Sequence, residues 1–203
     1  LLHDRVVGVV EDRMGSDGTG GDLYRVQIGA GHTATLSSLA FEGGTKRNKP
    51  SLKPGQILYA RVAALHTHLE LELSCQLGPH DIGQNLTLRD WMTDDGCYVT
   101  LQGGTVVRVP HDWTRRDLLP HAMQHVLWQE LAAAQNRNAA LAGEVAIGSN
   151  GYIWIHSGNP SATVLLYNII RNAPVLTEAQ VRAMIRQMTA HYKEREERDD
   201  RMH

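Results

Sequence analysis

The chain has 203 residues, 42% hydrophobic and 21% charged, enough for one large globular domain or two small ones, and no apolar run approaches the roughly 18–20 residues of a membrane span. A formal net charge of -2 and a pI near 6.6 exclude a uniformly basic nucleic-acid binder, so any RNA site is a local patch. Aromatic residues make up only 5%, with Phe41 the single Phe, which excludes a broad base-stacking platform. Two distant cysteines, Cys75 and Cys97, without a C-x-x-C spacing, fit a reducing compartment and predict a soluble intracellular protein. The chain opens on Leu1 and runs almost at once into strand-like sequence, from which we expect residues upstream of it.

Val6, Val7, Val9 and Val10 form a β-branched run, and the glycines of Gly15–Asp22 turn it into a second strand, Leu23–Ile28. Glycines that join two strands do not form a phosphate loop, which must open a helix. His32–Leu39 reads as a third strand, Ile57–Leu65 as a fourth, and Leu69, Leu71 and Leu73 alternate with Glu70 and Glu72 in a fifth. Five short strands in under 80 residues predict an OB-type barrel.

Gly78–Gly83 reads as a linker, Leu86–Met92 is ambiguous, and Cys97–Leu101 with Val106–Val109 predicts a hairpin closed around Gly103 and Gly104. Thr114 with Asp117 has the spacing of a helix start, cut short by Pro120, and a longer helix is expected from His121 to Gln135. Glu144–Ile147, the turn Gly148-Ser149-Asn150-Gly151 and Tyr152–His156 form a strand-turn-strand unit. Asn159-Pro160 starts a helix apolar on a wide arc, Thr177 with Gln180 forms a capping box for a last helix, and Lys193–His203 is a solvated charged end.

No catalytic or metal-binding constellation stands out, and no cofactor is expected. Asp94-Asp95, Asp199-Asp200 and His66-x-His68 sit in predicted turns or the tail, and no serine or cysteine lies in a nucleophile signature. Lys46, Arg47, Lys49 and Lys53 form a cluster with no acidic residue between Lys46 and Lys53. In an OB-barrel loop, such cations either contact phosphate, with salt-sensitive affinity, or are simply solvated or in contact with protein. Gly148-Ser149-Asn150-Gly151 likewise has two readings. A G-x-x-G loop is the backbone clamp of KH-type RNA-binding modules, but Ser149 and Asn150 supply no cation and Tyr152, Ile153, Trp154 and Ile155 favour burial, which points to a structural turn.

Val6-Val7-Gly8-Val9-Val10, Pro54-Gly55-Gln56-Ile57-Leu58 and Leu69-Glu70-Leu71-Glu72-Leu73-Ser74 resemble an S1 RNA-binding domain, with Gln56 in place of the usual acidic residue and Tyr24 near the usual base-stacking face. Leu36-Ser37-Ser38-Leu39-Ala40-Phe41-Glu42-Gly43-Gly44-Thr45-Lys46-Arg47-Asn48-Lys49-Pro50 and Gly148-Ser149-Asn150-Gly151-Tyr152-Ile153-Trp154-Ile155 resemble two motifs of the exosome cap subunits of the ribosomal RNA-processing protein 40 family. That resemblance implies a fold that is all-β plus α+β: a five-stranded OB-fold S1 barrel over residues 1–78, a KH-type α+β domain over 79–192 and a charged tail over 193–203, with the family's N-terminal domain largely absent. It implies a non-catalytic subunit that guides single-stranded RNA into an RNase PH-like ring for 3'-to-5' processing and decay, rRNA processing included, in the nucleus, nucleolus and cytoplasm. The expected partners are single-stranded RNA, ring subunits and other exosome subunits, with no membrane. Lys46, Arg47, Lys49 and Lys53 become the RNA-contact candidates, and Gly148, Asn150, Gly151 and Trp154 a structural set at the S1/KH boundary. A purely architectural subunit and a stand-alone S1/KH regulator are the alternatives.

Overall fold

In the computed structural model, which describes residues 1–29, 31–66, 69–78, 98–118 and 125–199, the valine run at the start of the chain forms β1 (Arg5–Ser16). It is followed by β2 (Asp22–Gly29), β3 (His32–Phe41), β4 (Ile57–Ala64) and β5 (Leu71–Cys75). β1 is long enough to serve two neighbours. Its first half, Arg5–Val9, pairs antiparallel with β4, and from Val9 to Ser16 it pairs with β2. Register shifts at Val10/Asp12 and Arg13/Gly15 bend it within the half paired to β2. A parallel β3–β5 ladder and an antiparallel β4–β5 ladder complete the circuit, closing the expected five-stranded OB-type barrel.

Tyr24, Val26, Leu36, Phe41, Leu58, Ala60 and Leu73 fill the barrel core. Gly8 is required by closeness: a Cβ there would lie 2.6 Å from Val26 Cγ1. Leu69 departs from the predicted alternation, lying exposed just before β5. Tyr24 is 1% exposed, and its hydroxyl accepts a hydrogen bond from Leu52 N at 3.2 Å, so the ring is core and offers no base-stacking face.

The chain divides into two units, Leu1–Gln102 with Ile147–Tyr152, and Gly103–Ala146 with Ile153–His203. The predicted Cys97–Val109 hairpin does not form. Its first arm, β6 (Thr100–Leu101), pairs with β4 of the barrel, whereas its second, β7 (Thr105–Arg108), joins a separate sheet of order β7-β9-β8 with β8 (Gly143–Ile147) and β9 (Tyr152–Ser157). Gly103 and Gly104, both at φ near +67°, stand between the two strands as bends outside any ladder. Sequence spacing cannot tell a turn within a hairpin from a turn between sheets. Cys97, like the predicted linker beyond Gly78, falls outside the described residues.

In the second unit, α1 (His111–Trp113) runs into a wide helical turn over Thr114–Leu118. Thr114 is not the helix start predicted from its spacing: it is fully buried and its hydroxyl donates to His111 O, while Asp117 pairs with Arg116. Of the longer helix expected from His121, the described residues show α2 (Val126–Arg137), where His125 Nδ1 accepts from Leu127 N, and residues 121–124 fall outside the described residues. α3 (Pro160–Asn172) starts as predicted, with Asn159 Oδ1 accepting from Ser161 N and proline in the first turn. The Thr177/Gln180 box also forms, and α4 (Glu178–Asp199) carries the charged segment as helix as far as Asp199, the last described residue. Ile153, Ile155, Leu166, Ile169, Ile170 and Ile185 build this unit's core between sheet and helices, an α+β arrangement.

Replacing Tyr24 by Phe keeps the packing but leaves the buried Leu52 N–H without an acceptor. We expect unfolding free energy to fall by about 1–3 kcal/mol, read from the urea midpoint.

Candidate nucleic-acid interface

The four predicted RNA contacts lie in the connection from β3 to β4, and the structure separates them by role. Thr45 and Asn48 exchange backbone hydrogen bonds, Thr45 N to Asn48 O at 2.8 Å and Asn48 N to Thr45 O at 3.1 Å. The two residues between them, Lys46 and Arg47, are thereby pushed to the tip of a tight turn, where both are exposed. Among the described residues neither forms an ion pair. Lys53 opens a second turn, Lys53-Pro54-Gly55-Gln56, in which Gln56 N donates to Lys53 O and Gly55 sits at φ +87°. Pro and Gly at its two corners suit that backbone. Gln56, standing where the S1 pattern carries an acid, uses its side-chain oxygen to accept from Lys53 N at 2.7 Å, and Gly55 N and Gln56 O bond to Val10 of β1.

Lys49 differs from the other three. It is half-buried, its ammonium donates to Gly20 O at 2.9 Å and lies 3.3 Å from Asp22 Oδ2. Arg13 pairs with the same carboxylate. Loss of water works against ionisation of Asp22, but Arg13 and Lys49 together hold it below the ordinary range. Lys49 is thus a tie between the β1–β2 and β3–β4 connections, a role that no hydrogen bond or ion pair among the described residues gives to the Lys46, Arg47 or Lys53 side chains.

The β1–β2 connection is itself built around one carboxylate. Asp17 Oδ1 accepts from Thr19 N, Thr19 Oγ1 and Gly21 N, each at 2.8 Å, and Oδ2 accepts from Ser37 Oγ of β3. The Ser37 bond, ahead of those from Thr19 and Gly21, keeps this carboxyl charged far below the usual carboxylate range despite partial desolvation. Sequence reading saw only a glycine-rich turn here. The signal it passed over was an Asp two residues before a Thr, the pattern of an Asx turn. On the outer barrel face, Arg25 lies between Asp12 (3.7 Å) and Glu70 (3.9 Å), and Thr33 Oγ1 donates to Glu70 at 2.7 Å. The aromatics of β2 and β3, Tyr24 and Phe41, are both in the core, so among the described residues these two strands present charge and backbone groups and no exposed ring.

The Gly148–Gly151 turn is not a phosphate clamp. Gly148 N donates to Tyr152 O, Ser149 N to Arg5 O, and Gly151 N to Gly148 O, so these amides are already committed. The Asn150 amide donates to Val7 O at 2.8 Å and Ile28 O at 2.7 Å, and Ser149 Oγ adds a second bond to Arg5 O. A Cβ on Gly148 would meet Asn150 Oδ1 and come within 2.8 Å of Val7 N, and Gly151 adopts φ +80°. Gly148, Asn150 and Gly151 therefore act as structural residues of the barrel unit. Trp154 belongs to the second unit, buried with its indole N–H on Gly103 O at 3.0 Å. Asn150→Ala strips Val7 O and Ile28 O of their donor. We expect a loss of about 1–3 kcal/mol in unfolding free energy with unchanged RNA affinity in the protein that remains folded, checked by denaturant titration alongside RNA binding.

Residues 1–81 match the family model for the S1 domain of exosome complex component RRP40. The exosome complex component rrp40 of Schizosaccharomyces pombe is 30% identical over 180 residues, covering 88% of this chain and 63% of the relative. That of Drosophila melanogaster is 34% identical over 169 residues, covering 82% and 60%. The chain thus spans about three-fifths of the length of these relatives. A crystal structure described as that of an exosome complex RNA-binding protein shares the fold, with a TM-score of 0.64 at 17% identity over 96% of this chain and 97% of the other. With an S1 domain specific to that family at its start and similarity to family members running on through the second unit, the chain belongs to the RRP40 family of exosome complex components.

Proposed function

We propose that the protein is a non-catalytic RNA-binding cap subunit of the RNA exosome, guiding single-stranded RNA into the central channel of an RNase PH-like ring for 3'-to-5' processing and decay, including that of rRNA, in the nucleus, nucleolus and cytoplasm. The observation that carries this reading is the Thr45–Asn48 turn, which holds Lys46 and Arg47 in solvent at the barrel's end. Two cations fixed on a tight turn suit a phosphate backbone that passes by without being read base by base. The absence of an exposed ring on β2 and β3 supports the same mode. A net charge of -2 fits a subunit that supplies one part of an electropositive path shared with its neighbours. In this reading the second unit is a KH-type domain whose main task is docking on the ring.

In a reconstituted cap and ring, replacing Lys46 and Arg47 together by Ala should weaken RNA binding and lower the log-log salt slope by roughly one unit per lost phosphate contact. Lys49→Ala should instead mainly lower thermal stability, since its ammonium is tied to Gly20 and Asp22. Unchanged RNA affinity in the double variant across salt would leave a purely architectural subunit. Recovery of the tagged protein as a tight RNA-binding monomer, with no RNase PH-like subunits, would favour a stand-alone regulator.

A further inference from the structure

We propose that Asp17 is a positioning residue for the RNA-contacting turn: its carboxylate fixes the Gly20–Gly21 backbone as the seat on which Lys46 rests and to which Lys49 is tied. The inference rests on the reading of Lys46 and Arg47 as phosphate contacts and adds a residue of opposite charge to that site. Gly20 stands at φ +102°, and a Cβ there would lie 3.2–3.5 Å from Lys46 Cδ, Cγ and Cε, so the aliphatic stem of Lys46 lies against the glycine. Gly20 O takes the Lys49 ammonium. What holds this peptide in place is Asp17, whose Oδ1 binds Thr19 N, Thr19 Oγ1 and Gly21 N, whose Oδ2 is anchored on Ser37 of β3, and whose own N–H closes the loop on Gly21 O at 3.0 Å. The β1–β2 loop is therefore one rigid piece, and the cationic turn leans on it.

Charge and geometry make opposite predictions here. A carboxylate near a polyanion site repels the ligand, so its removal strengthens binding if charge alone counts. If Asp17 acts through the seat, removing its side chain loosens the Lys46 stem from its rest on Gly20, and a phosphate contact then has to order a freer side chain.

The test measures binding of a labelled homopolymeric single-stranded RNA across salt by the complex containing the full chain. Asp17→Ala should weaken binding about threefold to tenfold, and Asp17→Asn, equally neutral but still able to accept from Thr19 and Gly21, should recover most of it. Glu42→Gln, which removes one negative charge at the start of the same connection, should bind as tightly as the parent or more tightly. In a Lys46→Ala background, Asp17→Ala should cause little further loss. Gly20→Ala, which keeps every donor to the Asp17 carboxylate but strains the φ +102° backbone under the Lys46 stem, disturbs the seat independently of Asp17 and should weaken RNA binding in the same range. Tighter binding by Asp17→Ala and Asp17→Asn alike, or an equal loss with and without Lys46, overturns the positioning role. If Lys46→Ala with Arg47→Ala leaves RNA affinity untouched, the RNA reading itself fails and this inference falls with it; loss in that variant with no loss in Asp17→Ala and Gly20→Ala overturns the positioning role alone.

Discussion

The fold of the first unit turns on how the exposed edge of β1 is completed. β1 runs alongside β2 only from Val9 onward, while Arg5–Val7 pair with β4 on one side alone. Backbone groups on the other side would be open. Asn150 fills this gap as a peptide group would, donating to Val7 O and Ile28 O and receiving a longer bond of 3.4 Å from Val7 N, while Ser149 satisfies Arg5 O twice. Two side chains and a few amides of a turn thus stand in for a strand, and the splayed ends of β1 and β2 are held at a fixed separation. An unpaired edge is costly to bury and hazardous to expose. The chain answers both problems with Gly148-Ser149-Asn150-Gly151.

At the barrel's other connections, carboxylates do the organising. Asp17 shapes the β1–β2 loop from within, and Asp22 links it outward to Arg13 and Lys49. The cationic loop contains no acid of its own between Lys46 and Lys53, yet it is steadied by acids contributed from another loop. A surface can therefore remain locally positive at its tip while the charges that position it are balanced beneath. That division lets a nearly neutral chain keep an exposed cationic tip, and it explains why counting cations along the sequence overstates the number left untied.

Much of the barrel was legible because alternation is local: the valines of β1, Leu23–Ile28 and Ile57–Leu65 announced their strands within their own windows. So did the helix starts at Asn159 and Thr177, whose partners lie two and three residues away. What could not be read was pairing at a distance. Thr100–Leu101 and Thr105–Arg108 look like two arms of one hairpin until their real neighbours, β4 and β9, are known. Lys49 is indistinguishable from Lys46 in sequence, and only its ties to Gly20 O and Asp22 set it apart. Tyr24 has the same history: the S1 resemblance put it near a base-stacking face, whereas its ring lies in the core and its hydroxyl accepts from Leu52 N there.

The bonds from Asn150 to Val7 span 143 residues of sequence. At a synthesis rate of about 5–20 residues per second, β1 emerges from the ribosome roughly 7–30 s before the residue that completes its edge. Strands β1 to β5 can close on one another in that interval, but the Arg5–Val7 edge stays unsealed until the second half of the chain is made. The last step in assembling the barrel is therefore taken by a turn encoded far downstream, and a chain cut short before Gly148 would carry a barrel with an open side.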